Sequence, residues 1–332
     1  MQKTINKKVS SSDAIDSPKS KKSPIKHRAQ NWFSTILDVI EYALLFKQAY
    51  FPFAYLEKVK RRGENYTLKI ILLDDLPLLL LAFSWQASNP VLHGISLVFL
   101  LISFWCVYEI GYYENDTVAE KYEQNPKLAP TYDTYRHIME TSYPWIWSLV
   151  SGWIGIVLLY KVQGVYLPLT GLLVAEINFI NPTVLFCLSW TTFLVGVRYC
   201  FKVYNYLNKQ ARTWLYLALQ SLRYYGFLWV TSTNLIGISL LSSYILSRSL
   251  LYIVYRYSGG NSDNWPREIP DKFLRCSIFM FTLITICFGS QSIAILQSWQ
   301  TWVMLLWCLV RSQSQIKTTL SQFKPILEDS SN

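Results

Sequence analysis

The sequence predicts an all-α, polytopic membrane bundle of about eight spanning helices plus one interfacial or re-entrant segment. Hydrophobic residues make up 52% of the 332 residues and aromatic residues 16%, which is too apolar for an ordinary soluble domain. Apolar segments recur at lengths approaching the roughly 20 residues that cross a bilayer. The net charge of +10 is concentrated in the first 30 residues, where eight Lys and Arg outnumber two Asp, so we expect no nucleic-acid partner.

The composition divides the chain into four parts. Residues 1–30 are rich in Lys and Ser with almost no aliphatic side chains, so we expect a disordered cytoplasmic tail that binds anionic lipid headgroups. Residues 31–67 combine an amphipathic helix suited to the membrane interface with a basic juxtamembrane cluster at 58–62. Residues 68–311 form the predicted transmembrane bundle, and residues 312–332 form a second cytoplasmic tail.

The predicted spans follow the runs of apolar residues. The first, 68–86, is interrupted by Asp74, Asp75 and Pro77. Because proline removes a backbone donor, we expect the two aspartates to cap a restarted helix; the alternative is a functional carboxylate pair inside the membrane. The remaining predicted spans are 93–113, 145–160, 183–201, 214–230, 235–255, 273–289 and 293–310.

The positive-inside rule orients these spans. Basic residues cluster in both terminal parts and in the connections 202–212 and 256–275, so all of these are assigned to the cytoplasm. The alternation holds only if residues 164–180, a short run broken by Pro168, stay on the outer side. Both termini are then cytoplasmic, and so are the polar loops after the second and sixth spans.

An acidic run, residues 109–123, follows directly from the second span. If that helix continues past Tyr113, its 3.6-residue period places Glu109, Asp116, Glu120 and Glu123 on roughly one face. Carboxylate oxygens are the ligands that Mg²⁺ prefers, and Mg²⁺ binds diphosphates. The run therefore predicts a Mg²⁺-diphosphate site where the helix leaves the bilayer.

The segment Asn115-Asp116-Thr117-Val118-Ala119-Glu120-Lys121-Tyr122-Glu123 resembles the first aspartate-rich motif, NDxxDxxxD, of the UbiA superfamily of intramembrane prenyltransferases. Asn115 and Asp116 match identically, and Glu123 is a conservative match for the last aspartate. The middle position is Ala119, where the family has an aspartate. Glu120 lies four residues from Asp116 and three from Glu123, so it can substitute for the missing acid on the same helical face.

The resemblance also implies a second acidic motif after the sixth span, where this chain has the loop from Asp263 to Asp271. It implies a Mg²⁺-dependent enzyme in which Asp116 and Glu120 are catalytic. The implied metal ligands are Asp116, Glu120 and Glu123 for one ion, with Asn115 beside them, and Asp263, Glu268 and Asp271 for another. The implied substrate-binding residues are Asn115, Arg136 and Arg267.

Three functions are consistent with these features. The first is a prenyltransferase that moves a polyprenyl group from its diphosphate to an unidentified acceptor. The second is a catalytically inactive UbiA-like accessory protein, which Ala119 favours. The third is a transporter with a polar path through the bilayer. The carboxylates proposed for that path are Asp74, Asp75, Glu109 and Glu176.

Three arginines also lie in apolar helices: Arg198, Arg223 and Arg248. Each of them either lines a polar cavity, extends its charge to the membrane surface, or pairs with a carboxylate.

Overall fold

The computed structural model describes residues 51–126, 128–129, 131–163, 181–208, 210–257 and 270–322. The predicted amino-terminal tail, the predicted interfacial helix up to residue 50, and the predicted re-entrant segment 164–180 lie outside the described residues. Most of the second acidic loop also lies outside them, and Asp271 is the member of that loop that is described.

The described part of the chain is helical and contains no strand. Two π-helical segments, Leu56–Lys60 and Thr67–Asp75, come first. The α-helices are α1 (Leu76–Phe83), α2 (Pro90–Tyr122), α3 (Tyr132–Tyr135), α4 (Ser142–Gln163), α5 (Pro182–Tyr206), α6 (Arg212–Tyr225), α7 (Leu235–Tyr257), α8 (Asp271–Ser290), α9 (Ala294–Gln297) and α10 (Trp299–Gln322). Short 3₁₀ turns, Ser84–Gln86 and Gly226–Trp229, follow α1 and α6.

The predicted all-α class is confirmed for the described residues. Among them, 5 helices are long and apolar enough to cross a membrane: α2, α4, α5, α7 and α8. The other predicted spans coincide with shorter or more polar helices. The last of these, α10, continues to Gln322 and so extends 11 residues beyond the predicted end of the bundle at 311.

Two of the long helices begin with the same Asn-Pro pair. The Asn89 side chain accepts a hydrogen bond from the Leu92 backbone N–H at 3.1 Å at the start of α2. At the start of α5 the Asn181 side chain accepts one from the Thr183 N–H at 2.9 Å. Each asparagine satisfies a backbone donor that the helix leaves free, and the following proline has none to satisfy. The sequence thus fixes where both helices start.

Helix α2 determines where the acidic run lies. It has 33 residues, which corresponds to about 50 Å at 1.5 Å per residue. A hydrocarbon core is about 30 Å thick, so the helix is long enough to carry residues 109–122 to the membrane surface as a rigid extension. The acidic run is therefore a helix end and not a flexible loop.

Glycines allow α2 to pack closely on α4 and α5. A Cβ at Gly152 of α4 would lie 2.6 Å from Ser103 Oγ, and one at Gly111 of α2 would lie 2.4 Å from the Phe201 ring of α5. Small residues at such crossings bring two backbones into contact, as is common between membrane helices. By contrast, a Cβ at Gly196 of α5 would meet nothing within 4 Å.

We expect Gly111→Ala to lower the apparent melting temperature of the detergent-purified protein, because the added methyl group collides with Phe201 at the α2–α5 crossing. Gly196→Ala is the matched control. It should be neutral or stabilising, since alanine is favoured over glycine in a helix by about 1 kcal/mol. Equal effects of the two substitutions would contradict this account of the crossing.

Candidate functional site

Helix α2 does continue through the acidic run, and its carboxylates contact two neighbouring segments. Glu109 and Asp116 face residues 53–60, and Glu120 faces residues 132–136. Glu123 is the first residue past the last helical turn. The predicted helical face exists, but each of its carboxylates contacts a different group of the protein.

Glu109 anchors the segment that precedes the bundle. It is buried, and its two carboxylate oxygens accept hydrogen bonds from the backbone N–H groups of Phe53 and Leu56, both at 2.9 Å. These donors belong to the start of the π-helical turn 56–60, where backbone N–H groups have no helical partner. Glu109 therefore acts as a cap supplied by another helix.

Asp116, the central residue of the predicted motif, is completely buried. Its Oδ2 accepts a hydrogen bond from the Tyr55 hydroxyl at 2.7 Å, and its Oδ1 pairs with Lys60 Nζ at 2.5 Å. Burial and the adjacent Asp116 carboxylate raise the pKa of Tyr55 well above its usual value. The proton stays on Tyr55, so the hydroxyl remains a donor to Asp116.

Glu120 and Glu123 are also neutralised by separate cations. Glu120 pairs with Arg136 and accepts a hydrogen bond from the Tyr132 hydroxyl at 2.9 Å. Burial, together with the Glu120 carboxylate, raises the pKa of Tyr132 to about 12. Glu123 pairs with Arg212 at the start of α6 at 3.2 Å. Arg136, which was predicted to bind the substrate, is thus paired with Glu120.

In the structure the carboxylates of the first predicted metal set are engaged by protein groups. Among the described residues no group of three or more metal-ligating side chains converges. Both oxygens of Asp116 and both of Glu120 already accept bonds from protein donors. Asn115 lies half-buried beside them. In the second predicted set, Asp271 accepts a hydrogen bond from Gln315 Nε2 at 2.7 Å, and Asp263, Arg267 and Glu268 lie outside the described residues.

A second polar site, which sequence spacing does not reveal, lies inside the bundle. Asp75 is buried and forms an ion pair with Arg223 of α6. Nη2 and Nε of Arg223 both donate to Oδ2 of Asp75, at 2.6 and 3.2 Å. The Tyr224 hydroxyl and the Trp105 indole N–H also donate to this carboxylate, at 3.1 and 3.2 Å.

Its neighbour Asp74 pairs with three guanidinium groups. Arg248 of α7 lies at 3.0 Å, Arg275 of α8 at 3.2 Å and Arg311 of α10 at 3.4 Å. The Tyr244 hydroxyl donates to it at 3.2 Å. We call the two aspartates and four arginines the arginine cluster. Its partners come from four helices that are far apart in sequence.

The prediction that Asp74 and Asp75 cap a restarted helix is wrong. Asp75 makes no side-chain capping bond, and the Leu76 N–H already bonds to the Ile71 carbonyl. The π-helical segment runs into α1 without a break, so no backbone donor is left for the aspartates. The alternative, a carboxylate pair inside the bundle, is what the structure contains.

The arginine cluster has more positive than negative charge. Four guanidinium groups face three carboxylates, because Asp271 also lies 3.7 Å from Arg275, so one positive charge is in excess. The buried Nε–H groups of Arg248 and Arg311 have no hydrogen-bond partner among the described residues. Buried charges and donors are costly unless they are paired, so this excess is the unusual feature of the bundle interior.

Two adjoining cavities meet at this cluster. The Arg311 cavity, of about 560 Å³, is lined by Leu73, Asp74, Leu251, Lys272 and Arg311, among others. The Arg223 cavity, of about 550 Å³, is lined by Arg61, Glu64, Tyr112, Gln220 and Arg223, among others. The residues that line both are Lys69, Ile70, Tyr216 and Arg248.

The two adjacent cavities reach residues of the two regions that the sequence singled out. Tyr112, which lines the Arg223 cavity, lies one helical turn before Asp116 on α2. Asp271, at the start of α8, lines the Arg311 cavity. The sequence identified Arg223 and Arg248 as cavity candidates and both line one; Arg198 instead pairs with Glu114 at 2.7 Å. Arg275 and Arg311 were missed because they lie near predicted span ends, where basic residues are ordinary.

In comparisons with known proteins, no family model, curated protein or solved structure matches this chain.

We expect Asp75→Asn to destabilise the protein strongly, because Arg223 then keeps a buried charge without its counter-ion. Breaking one side of a buried ion pair typically costs about 3–5 kcal/mol. The double variant Asp75→Asn/Arg223→Gln should recover part of the loss. Denaturant unfolding in detergent measures this. Asp133→Asn is the control, since the Asp133 side chain is 84% exposed, and a loss no larger than the control's would contradict the assignment.

Proposed function

We propose that the protein is a multi-pass membrane protein that binds a polyprenyl diphosphate in the Arg311 cavity and transfers its prenyl group to an acceptor, as a divergent UbiA-like prenyltransferase. The observation that carries the proposal is the charge of the cavity lining, in which the four cations Lys69, Arg248, Lys272 and Arg311 face the two carboxylates Asp74 and Asp271. The UbiA-like part of the proposal rests on the motif resemblance at Asn115, Asp116 and Glu123.

The proposed topology has eight crossings and cytoplasmic ends. The five long apolar helices are joined by three further crossings: the continuous segment 67–83, helix α6 with its 3₁₀ extension, and α10. The acidic end of α2 and the start of α8 then lie on the cytoplasmic side. The basic amino-terminal tail would contact anionic lipid headgroups there.

The charge of the cluster selects an anion as the ligand. Guanidinium groups bind phosphate oxygens through paired N–H donors and remain charged when buried. Arg248 and Arg311 both line the cavity, beside Lys69 and Lys272. A diphosphate in the cavity would offset the excess positive charge of its lining.

The walls of the Arg311 cavity favour a lipid-like ligand. Leu73 and Leu251 line it beside the charged side chains. Leu73 is 49% exposed on the surface of the bundle, which faces lipid in the proposed topology. The cavity volume falls within the roughly 300–1,000 Å³ of typical small-molecule sites. A charged head can therefore bind inside while an apolar chain extends along the leucines.

The arginines would also promote the reaction. When the bond between the prenyl carbon and the diphosphate oxygen breaks, the oxygen keeps the electron pair and negative charge develops on the leaving group. Fixed positive charges in a site of low dielectric constant stabilise such charge as it forms. No step in this proposal uses the carboxylates of the acidic run.

A second candidate is the catalytically inactive accessory protein. It is favoured by the complete engagement of Asp116 with Tyr55 and Lys60. The transporter hypothesis gains less support, because both oxygens of Glu109 bind backbone N–H groups of the 53–56 segment. Glu176, the last member of that predicted path, lies outside the described residues.

We expect Arg311→Gln to weaken the binding of geranylgeranyl diphosphate by about tenfold or more, because one charged hydrogen bond is worth about 1.5–3 kcal/mol. Asp74 keeps Arg248 and Arg275 as partners, so the variant should fold. Filter binding of the radiolabelled ligand to protein in nanodiscs measures this. Lys317→Gln, at an exposed position on the same helix, is the control.

Transfer is assayed with the same preparations and a panel of acceptors. Labelled prenyl product that falls in Arg311→Gln and not in Lys317→Gln would support the enzyme. Binding without transfer to any acceptor would favour the accessory protein. Equal binding by both variants and the wild type would contradict the proposed site.

A further inference from the structure

We infer that Gln315 is a positioning residue for the Arg311 cavity. It holds the first turn of α8 in place, and with it the side chain of Lys272, a cation that a diphosphate in the cavity would contact. Gln315 is not among the described residues that line the cavity, so it acts through Lys272. Its role in ligand binding rests on the proposed function, but its contact with α8 does not.

The start of α8 has no cap of its own. The preceding residue is Pro270, which has no side-chain oxygen and makes no capping bond. The first backbone N–H groups of a helix have no partner inside the helix, so another group must accept their hydrogen bonds. Here Oε1 of Gln315, on α10, accepts from the backbone N–H groups of Lys272 at 2.7 Å and Phe273 at 3.1 Å. Gln315 therefore caps α8 from a neighbouring helix.

The other end of the Gln315 amide contacts a side chain of the same turn. Its Nε2 donates a hydrogen bond to Oδ1 of Asp271 at 2.7 Å. Because the amide group is planar, three bonds to one turn fix both the position and the rotation of the start of α8. Gln315 lies four residues after Arg311, on the same face of α10. One face of α10 thus contacts the arginine cluster and the start of α8.

Lys272 differs from the arginines that line the same cavity. Arg248 and Arg311 both pair with Asp74. Lys272 forms no ion pair with a carboxylate of the described residues, so none of these competes with a ligand for its charge. Its ammonium group can donate a charged hydrogen bond to a phosphate oxygen without leaving a carboxylate unpaired. Since Gln315 holds the backbone N–H of Lys272, the position of this cation depends directly on that contact.

Hydrogen–deuterium exchange of the full-length protein in nanodiscs, without ligand, tests the contact. We expect Gln315→Leu to speed exchange in the peptide 271–275, because the N–H groups of Lys272 and Phe273 lose their acceptor. Gln315→Glu keeps an acceptor oxygen and should protect this turn better than Gln315→Leu. The matched control is Gln313→Leu, at an exposed position on α10, which should exchange like the wild type. Equal exchange in Gln315→Leu and the wild type would overturn the inference.

A double-mutant cycle tests whether Gln315 acts through Lys272. Filter binding of radiolabelled geranylgeranyl diphosphate is the measurement. We expect Lys272→Gln to weaken binding by about tenfold, the value of one charged hydrogen bond, and Gln315→Leu to weaken it by a smaller factor. The double variant should bind as weakly as Lys272→Gln alone, because the residue that Gln315 positions has already been removed. If the two losses simply add, Gln315 does not act through Lys272 and the inference is wrong.

Melting temperatures show whether the variants fold. Should Gln315→Leu fail to fold, Gln315→Glu takes its place in the cycle, since it removes the hydrogen bond to Asp271 and keeps the acceptor for α8. A smaller loss of affinity is then expected, and it should again be absent when Lys272 is already replaced. Faster exchange in Gln315→Leu, with no binding of geranylgeranyl diphosphate by the wild type, would refute the proposed function and leave Gln315 as the cap of α8.

Discussion

The pairing of Asp74 and Asp75 with four arginines is the interaction on which the rest of the bundle interior depends. It ties the first helical segment to α6, α7, α8 and α10, across separations of 148 to 237 residues. In an apolar interior an ion pair is stable only when both partners are held at hydrogen-bonding distance. The cluster therefore requires these helices to pack in one arrangement, and the two cavities are the space that this arrangement leaves around the excess arginines.

The acidic run has a structural role in this arrangement. Glu109 and Asp116 hold the segment 53–60 against α2 through backbone N–H groups, a tyrosine hydroxyl and a lysine. The turn that follows this segment supplies Arg61 and Glu64 to the Arg223 cavity. A motif that resembles a metal-binding sequence thus positions the rim of a basic cavity. Its carboxylates contribute through the groups they anchor, and the arginines provide the charge that a ligand would meet.

Much of the fold could be predicted from the sequence because it depends on local signals. Hydropathy predicted the helices, and the carboxylate spacing in 109–123 suits the continuation of α2 beyond Tyr113, which was assumed and not predicted. The candidate site was predicted less well. Residue spacing predicts which carboxylates share a helical face, but it does not predict which cations from other segments lie beside them. The cations that neutralise these carboxylates are Lys60, Arg136 and Arg212. The capping prediction for Asp74 and Asp75 failed for the same reason, since their partners are distant in sequence.

The most direct test of the account is the binding of geranylgeranyl diphosphate to the wild-type protein in nanodiscs, measured with Mg²⁺ and with EDTA and repeated for Arg248→Gln. Arg248 lines both cavities and pairs with Asp74. If arginines hold the diphosphate, binding persists in EDTA and falls by about tenfold or more in the variant. Binding that disappears in EDTA, or that is unchanged in Arg248→Gln, would contradict the account.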